Sequence, residues 1–208
     1  MFFTHYARIY NHSYWLNGRH LPEWEGLPVS DVFAAMKVDY PRFAHMDDYS
    51  RLGFVASEMV CEDAHMDRKT RKPNMDVVLF SQSGSLASDV AYYHFLSQHP
   101  EARPAPELFH STVPSSICTD IAIRNQITGE LALLTMDGFS PSDIFSMVLG
   151  SFLGSDTLEH LLFGYVDAMG GVESALLVLM SRRDFDEMMR QDLVEDTFYH
   201  QLETAYSF

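Results

Sequence analysis

The chain has 208 residues, 47% of them apolar, which is enough for one sizeable hydrophobic core, so we predict a single domain over residues 1–208. Its formal net charge of -15 at pH 7 repels phosphate backbones and argues against nucleic-acid binding. No run approaches the roughly 18 apolar residues of a membrane span, and the N-terminal segment mixes His, Arg and Asn with apolar positions, so we predict neither a membrane helix nor a secretory signal and expect a cytoplasmic protein.

The first half of the chain alternates strands and helices. After an N-terminal strand, apolar residues at helical spacing predict an amphipathic helix over 46–66, with Asp47 and Asp48 at the end where they complement the helix dipole. MDVVLFSQSG (75–84) predicts a buried strand that ends in a turn, and a helix follows up to Pro100. The proline-rich stretch 101–109 is predicted to be a loop.

The second half continues the alternation. A helix is predicted over 111–127, then a strand over 131–136, and then a nearly all-apolar helix that needs cover on more than one side. Ser140 and Pro141 supply an N-cap and a first-turn proline for that helix. Two strands joined by Gly170-Gly171 and an acidic amphipathic helix over 184–206 complete the chain. This order predicts an α/β layered fold with five strands.

Several segments carry a resemblance to a known family. HMDDYSRLGFVASEMVCEDA, VVLFSQSGSLASD and APELFHSTVPSSICTDIAIRNQITGE resemble, in this order, the Met-Asp helix, the second strand with its glycine turn, and the "SP..F..T.PN....IA....I.GP" segment of β-ketoacyl-acyl-carrier-protein synthases. LLFGYVDA and GGVESALLVLM match the Gly-Gly-Ala-Asp and Gly-Glu-Gly-Ala strands of the same enzymes. The resemblance spans about residues 40–182 and implies a thiolase-like N-terminal half, with a mixed five-stranded sheet and helices on both faces.

The resemblance also locates a missing nucleophile. The family enzymes hold their acyl-accepting Cys at the start of the buried helix, where the dipole and backbone N–H groups stabilise thiolate and oxyanion. That slot falls on Gly138 when the chain is aligned from Gly129, or on Phe139 when aligned from Gly164, and Asp137 stands beside it. None of these residues can accept an acyl group in the manner of the Cys.

Other catalytic and cofactor patterns are missing from the sequence. The His pair and Lys of the family's second half do not occur in a matching setting, and there is no G-x-S-x-G elbow, Walker A loop, H-E-x-x-H or paired Cys motif. Cys61 and Cys118 are expected to be buried free thiols. We therefore predict no catalytic residue, no cofactor and no metal site. Ser81 to Ser85 are assigned to a strand-to-helix turn and not to a serine hydrolase.

The predicted function follows from these departures. We expect a non-catalytic ketosynthase-like subunit, a chain-length-factor-like protein or scaffold of a fatty-acid, polyketide or aryl-polyene pathway, which pairs with a full-length ketosynthase or with itself. Two alternatives stay open: an acyl-transferring or hydrolysing enzyme with an unrecognised site, and a structural homo-oligomer that keeps only the fold.

Two surfaces are predicted to contact partners. A basic loop contains Arg68, Lys69, Arg71 and Lys72, and it is either a solvated loop that improves solubility or a docking site for an acidic partner such as an acyl carrier protein. The strand before the corner is the expected oligomer interface, through Leu131, Leu133, Leu134 and Met136. The buried helix that follows this strand lacks the second sheet that covers it in the full thiolase fold, so we expect the C-terminal helix and a partner to cover it.

Overall fold

The computed structural model describes residues 3–101, 109 and 111–207, which build one mixed β-sheet with helices on both faces. The strands are β1 (His5–Tyr10), β2 (Ser13–Leu16), β3 (Arg19–His20), β4 (Met75–Ser81), β5 (Leu131–Thr135), β6 (His160–Met169) and β7 (Val172–Ser181). They lie in the order β3-β2-β1-β7-β6-β4-β5. β4 runs parallel to β5 and β6, and the other pairs are antiparallel. The predicted α/β class is confirmed.

The described residues form seven strands, so the predicted number of five is wrong. The two additional strands, β2 and β3, form a meander with β1 at the N-terminus. Its turns, Asn11-His12 and Asn17-Gly18, place all four residues at positive φ, which is the geometry of tight two-residue hairpins. The short length of β2 and β3 and the polar residues among them hid this alternation in the sequence.

The helices pack in two layers, one on each face of the sheet. They are α1 (Val29–Ala35), α2 (Asp48–Asp63), α3 (Leu86–Gln98), α4 (Ser116–Asn125), α5 (Pro141–Gly154), α6 (Arg182–Met189) and α7 (Val194–Tyr206). Helices α1, α2 and α4 share one hydrophobic core with the sheet, and α5, α6 and α7 share the other. None of the described helices is long and apolar enough to cross a membrane.

Some predictions of local structure are confirmed and one is wrong. Asp47 caps α2 by accepting a hydrogen bond from the Ser50 amide at 2.9 Å, and Ser140 caps α5. The Gly170-Gly171 hairpin is confirmed, with Met169 opposite Val172. The single helix predicted over 184–206 is wrong, since the chain turns at Leu193 with φ of 58° and forms two helices. The predicted loop over 101–109 lies mostly outside the described residues.

The C-terminal helices cover much of the α5 face that the sequence left without a second sheet. Phe145 of α5 contacts Phe198 of α7 with ring centroids 5.0 Å apart, and Phe152 stacks on Phe185 of α6 at 4.5 Å. Both α5 rings are buried, whereas Leu153 is 66% exposed. The chain therefore closes most of this core itself, and the need for a partner on this face is smaller than the sequence implied.

Candidate functional site

The candidate site lies at the carboxyl edge of the parallel strands. In open α/β sheets, ligands and reacting groups collect in the crevice beyond the carboxyl ends of parallel strands. Here the turn after β4, the corner after β5 and the second half of β6 meet at one edge, because Ser81 is in register with Thr135 and its carbonyl accepts the Met136 amide at 3.0 Å.

Asp167 of β6 holds the serine-rich turn after β4. Its Oδ1 accepts hydrogen bonds from the Ser81 hydroxyl at 2.8 Å and from the Ser83 amide and hydroxyl at 2.8 and 2.7 Å. The Gly84 amide in turn donates to the Ser81 Oγ at 2.8 Å. Ser81 is fully buried and donates to a carboxylate, so the turn is a fixed scaffold and not a hydrolase nucleophile. Sequence reasoning missed Asp167, although a lone acid inside an apolar strand was a usable signal.

The corner after β5, where the family resemblance predicts the nucleophile slot, is filled by the ring of Phe139, which we call the aromatic plug. Gly138 adopts φ of +87°, a left-handed conformation that favours glycine. The Phe139 ring stacks on Tyr206, the last residue of α7, with centroids 3.8 Å apart and planes at 3°, and it meets Tyr165 edge-on at 5.8 Å. Asp137 is exposed beside this plug. The three predicted slot residues thus lie at one corner, and the ring of Phe139 packs against Tyr206 and Tyr165.

Arg8 anchors this plug to the centre of the sheet. Its side chain is almost fully buried, and its Nε donates to the Tyr206 carbonyl at 3.0 Å. Its Nη1 donates to the Ser174 hydroxyl at 3.0 Å and to the Ala175 carbonyl at 3.1 Å. The guanidinium lies 4.4 Å from the Tyr206 ring centroid, which is a cation–π contact, and burial lowers the pKa of Arg8 to about 10. No sequence motif pointed to this residue.

A small cavity of about 380 Å³ opens beside the plug. Tyr165, Tyr206, Asp167 and Gln82 line it, and neither His nor Lys does so among the described residues. Burial raises the pKa of Tyr165 to about 12, so its hydroxyl stays protonated near neutral pH. The cavity therefore offers a hydroxyl and a carboxylate, and the Oδ1 of that carboxylate already accepts hydrogen bonds from the serine-rich turn.

The two cysteines are poor candidates for acid–base or nucleophilic chemistry. Cys61 and Cys118 are free and buried, as the sequence predicts. Burial raises the pKa of both thiols to about 12, so the reactive thiolate is scarce at neutral pH. Neither is a candidate for the missing acyl acceptor.

The predicted basic docking loop is partly used by the chain itself. The guanidinium of Arg68 pairs with buried Glu58 at 3.1 Å, and the Lys72 ammonium donates to the Asn125 carbonyl at 2.8 Å. Only Lys69 and Arg71 of the four are exposed. Docking of an acidic partner stays a prediction, and these two residues would carry it.

The predicted oligomer strand β5 is an edge of the sheet. It pairs with β4 on one side, and no other strand of the described residues lies on its other side. Leu131 is 42% exposed, whereas Leu133 and Leu134 are half-buried on opposite faces. Pairing through this edge stays a prediction.

We expect Gly138→Cys to form no carbon–carbon bond with acyl- and malonyl-carrier-protein substrates. A thiol at this corner would lack a neighbouring imidazole or ammonium group, since neither His nor Lys lines the adjacent cavity among the described residues. The measurement is product detection by mass spectrometry, with Gly26→Cys, another open glycine at positive φ, as the matched control. Condensation by Gly138→Cys alone would contradict the assignment of a non-catalytic corner.

Comparison with known proteins identifies the fold. No protein-family model and no curated protein matches the sequence. Among solved structures, a ketosynthase in complex with its chain length factor from Xenorhabdus doucetiae matches with a TM-score of 0.56 at 15% identity, over 86% of this chain and 78% of that chain. The ishigamide ketosynthase/chain length factor matches with a TM-score of 0.60 at 18% identity, over 86% of this chain and 61% of that chain.

A third match includes a carrier protein. It is a type II polyketide synthase acyl-carrier protein in complex with its hexaketide-bound ketosynthase, with a TM-score of 0.58 at 10% identity, over 91% of this chain and 60% of that chain. The chain thus spans about three fifths of the second and third matched chains. It has the thiolase-like fold of ketosynthases and chain length factors.

Proposed function

We propose that this protein is a non-catalytic ketosynthase-like subunit that pairs with an active ketosynthase in a fatty-acid, polyketide or aryl-polyene pathway, in the manner of a chain length factor. The observation that carries the proposal is the corner after β5. In a fold used by acyl-condensing enzymes, Phe139 fills this corner and stacks on Tyr206, which is itself held by Arg8. A phenylalanine packed in this way stabilises the corner and cannot accept an acyl group. The acyl chemistry would then take place on a partner.

The edge strand β5 supports the pairing half of the proposal. An unpaired edge strand with apolar side chains readily adds a strand from another chain. The exposed Leu131 and the half-buried Leu133 and Leu134 give such a contact an apolar component on both faces. The strand leads directly into the plugged corner, so a partner on this edge would lie beside the candidate site.

A carrier protein is the proposed second partner. Lys69 and Arg71 are the exposed cations of the basic loop, on a chain whose formal net charge is -15. An acidic protein would be repelled by much of this surface and attracted to these two cations. This docking is weak compared with strand pairing, because exposed ion pairs contribute little and are screened by salt.

Leu133→Lys is expected to weaken assembly with the partner by about tenfold or more, because it places a charge in the apolar layer beside the edge. The chain is co-expressed with each ketosynthase from its own genome, and complex formation is measured by co-purification and light scattering. Val172→Lys, at an exposed apolar position in the β6–β7 hairpin, is the matched control. Circular dichroism verifies that both variants are folded.

The outcomes separate the proposal from its alternatives. A complex that tolerates Leu133→Lys as well as Val172→Lys would remove β5 from the interface. Self-association without any ketosynthase would favour the structural homo-oligomer. Turnover or covalent acylation of the isolated chain by carrier-protein thioesters would overturn the non-catalytic assignment.

A further inference from the structure

One helix of the described chain, α3, buries none of its residues. Each of the other described α-helices buries at least two. The sequence of α3, LASDVAYYHFLSQ, is nevertheless mostly apolar or aromatic. A helix of this length is only marginally stable in water by itself, and most helical stability in proteins comes from packing. The apolar side chains of α3 therefore need a cover that the described residues do not provide.

The side chains of α3 fall on two opposite faces. One face points toward the body of the chain, where the Ser88 hydroxyl donates to the Asp47 carboxylate at 2.6 Å. Leu86, Val90 and Tyr93 have the i, i+4, i+7 spacing of a single helix face and lie on the opposite side. Their exposed fractions are 46%, 43% and 70%. A helix with apolar side chains all round is normally covered on both sides, so the outward face is the one that lacks a contact.

The outward face begins close to the edge strand β5. The Ser85 hydroxyl donates to the Thr112 carbonyl at 2.9 Å, so the segment before α4 lies against the start of α3. Val113 of this segment is 42% exposed. Helix α4 in turn contacts β5, because the Cys118 thiol donates to the Ala132 carbonyl at 3.5 Å. We define the α3 face by its exposed apolar residues: Leu86, Val90, Tyr93 and Val113.

The area that a stable complex needs favours one partner on both regions. Stable complexes bury about 800 Å² on each partner, through about 20–30 residues. Strand β5 has five residues, so its edge supplies only a part of such an interface. Large apolar side chains carry about 150–250 Å² each, and exposed fractions of 42% to 70% leave roughly 400 Å² of apolar surface on the α3 face. Apolar patches of this size often mark interaction sites.

The α3 face also indicates the chemistry of the surface that covers it. Asp89 is the only Asp, Glu, Lys or Arg of α3, and it accepts a hydrogen bond from the Ser85 hydroxyl at 3.4 Å. A chain with a formal net charge of -15 therefore has little charge here. An apolar, weakly charged protein surface fits this face, whereas a basic partner would be attracted to the acidic remainder of the chain.

We propose that the α3 face is a second contact for the ketosynthase that pairs with β5. The inference rests on the proposed function, because it takes that ketosynthase as the occupant. The partner covers Leu86, Val90 and Tyr93 with an apolar, weakly charged surface while it also contacts the edge of β5. Helix α3 is then packed on both of its faces, which accounts for its apolar sequence.

Val90→Lys tests the contact by placing a charge at the centre of the α3 face. It is expected to weaken binding of the ketosynthase by about tenfold or more. Lysine is a better helix former than valine and Val90 is exposed, so α3 is expected to stay helical, which circular dichroism verifies. Leu153→Lys, at a 66% exposed position of α5, is the matched control and is expected to bind like the parent. The affinity is measured by titration calorimetry with the ketosynthase that co-purifies with the parent.

Hydrogen exchange gives a second readout of the same contact. The amides of α3 are expected to exchange more slowly in the complex than in the free chain, because packing suppresses opening of the helix. If Leu133→Lys disrupts the complex while Val90→Lys binds like the parent and exchange in α3 is unchanged, the inference is wrong and the proposed function stands. If the parent binds no ketosynthase, both are wrong. A parent that self-associates and becomes monomeric on Val90→Lys would assign the α3 face to a second copy and also overturn the inference.

Discussion

Phe198→Ala is expected to lower the free energy of unfolding by about 3–5 kcal/mol, the usual cost of removing a buried phenylalanine ring. Phe198 is fully buried at the centre of the second core. Its ring lies 5.2 Å from Phe3, 5.0 Å from Phe145 and 6.2 Å from Phe163, so it joins α7 to α5, to β6 and to the N-terminus. The cavity left by alanine would open between the sheet and the helices that cover it.

Urea unfolding followed by circular dichroism measures this loss. Leu153→Ala is the matched control, because Leu153 is 66% exposed on α5 and its truncation is expected to change stability by at most about 0.5 kcal/mol. A loss of less than about 1 kcal/mol for Phe198→Ala would mean that α7 does not hold this core closed. The face of α5 would then need a partner, as the sequence first suggested.

Glu58→Ala is expected to destabilise the chain by about 3–5 kcal/mol, because it removes the buried carboxylate that two largely buried arginines share. Glu58 of α2 is fully buried, and its oxygens lie 3.2 Å from the Nε of Arg124 and 3.1 Å from the Nη1 of Arg68. The carboxylate thus ties α2 to α4 and to the basic loop. Glu58→Gln keeps the size of the side chain and separates loss of charge from loss of packing.

The control for this ion pair is another pair in the same chain. Arg183 and Glu187 lie 3.2 Å apart on α6, with 85% and 53% of their side chains exposed. Glu187→Ala is expected to cost at most about 0.5 kcal/mol, since exposed pairs are screened by water and salt. Similar losses of stability for Glu58→Ala and Glu187→Ala in thermal unfolding would show that burial does not strengthen the ion pairs of Glu58.

The parts of the fold that the sequence alone determined are those with local causes. The cap at Ser140 and the Gly170-Gly171 hairpin each depend on residues within a few positions of one another, and each is present in the structure. The burial of both free cysteines agrees with their prediction from the absence of a metal-type or paired spacing. The family resemblance extended this local reading to the α/β fold, since the motifs occur in the order of the strands and helices that they mark.

Only the tertiary structure decided what fills the corner after β5 and what surrounds it. Phe139 meets Tyr206 from the other end of the chain, Asp167 reaches back to the turn at Ser81, and Arg8 donates to a carbonyl 198 residues away. Such contacts depend on strand register and helix placement, and no spacing within a short window encodes them.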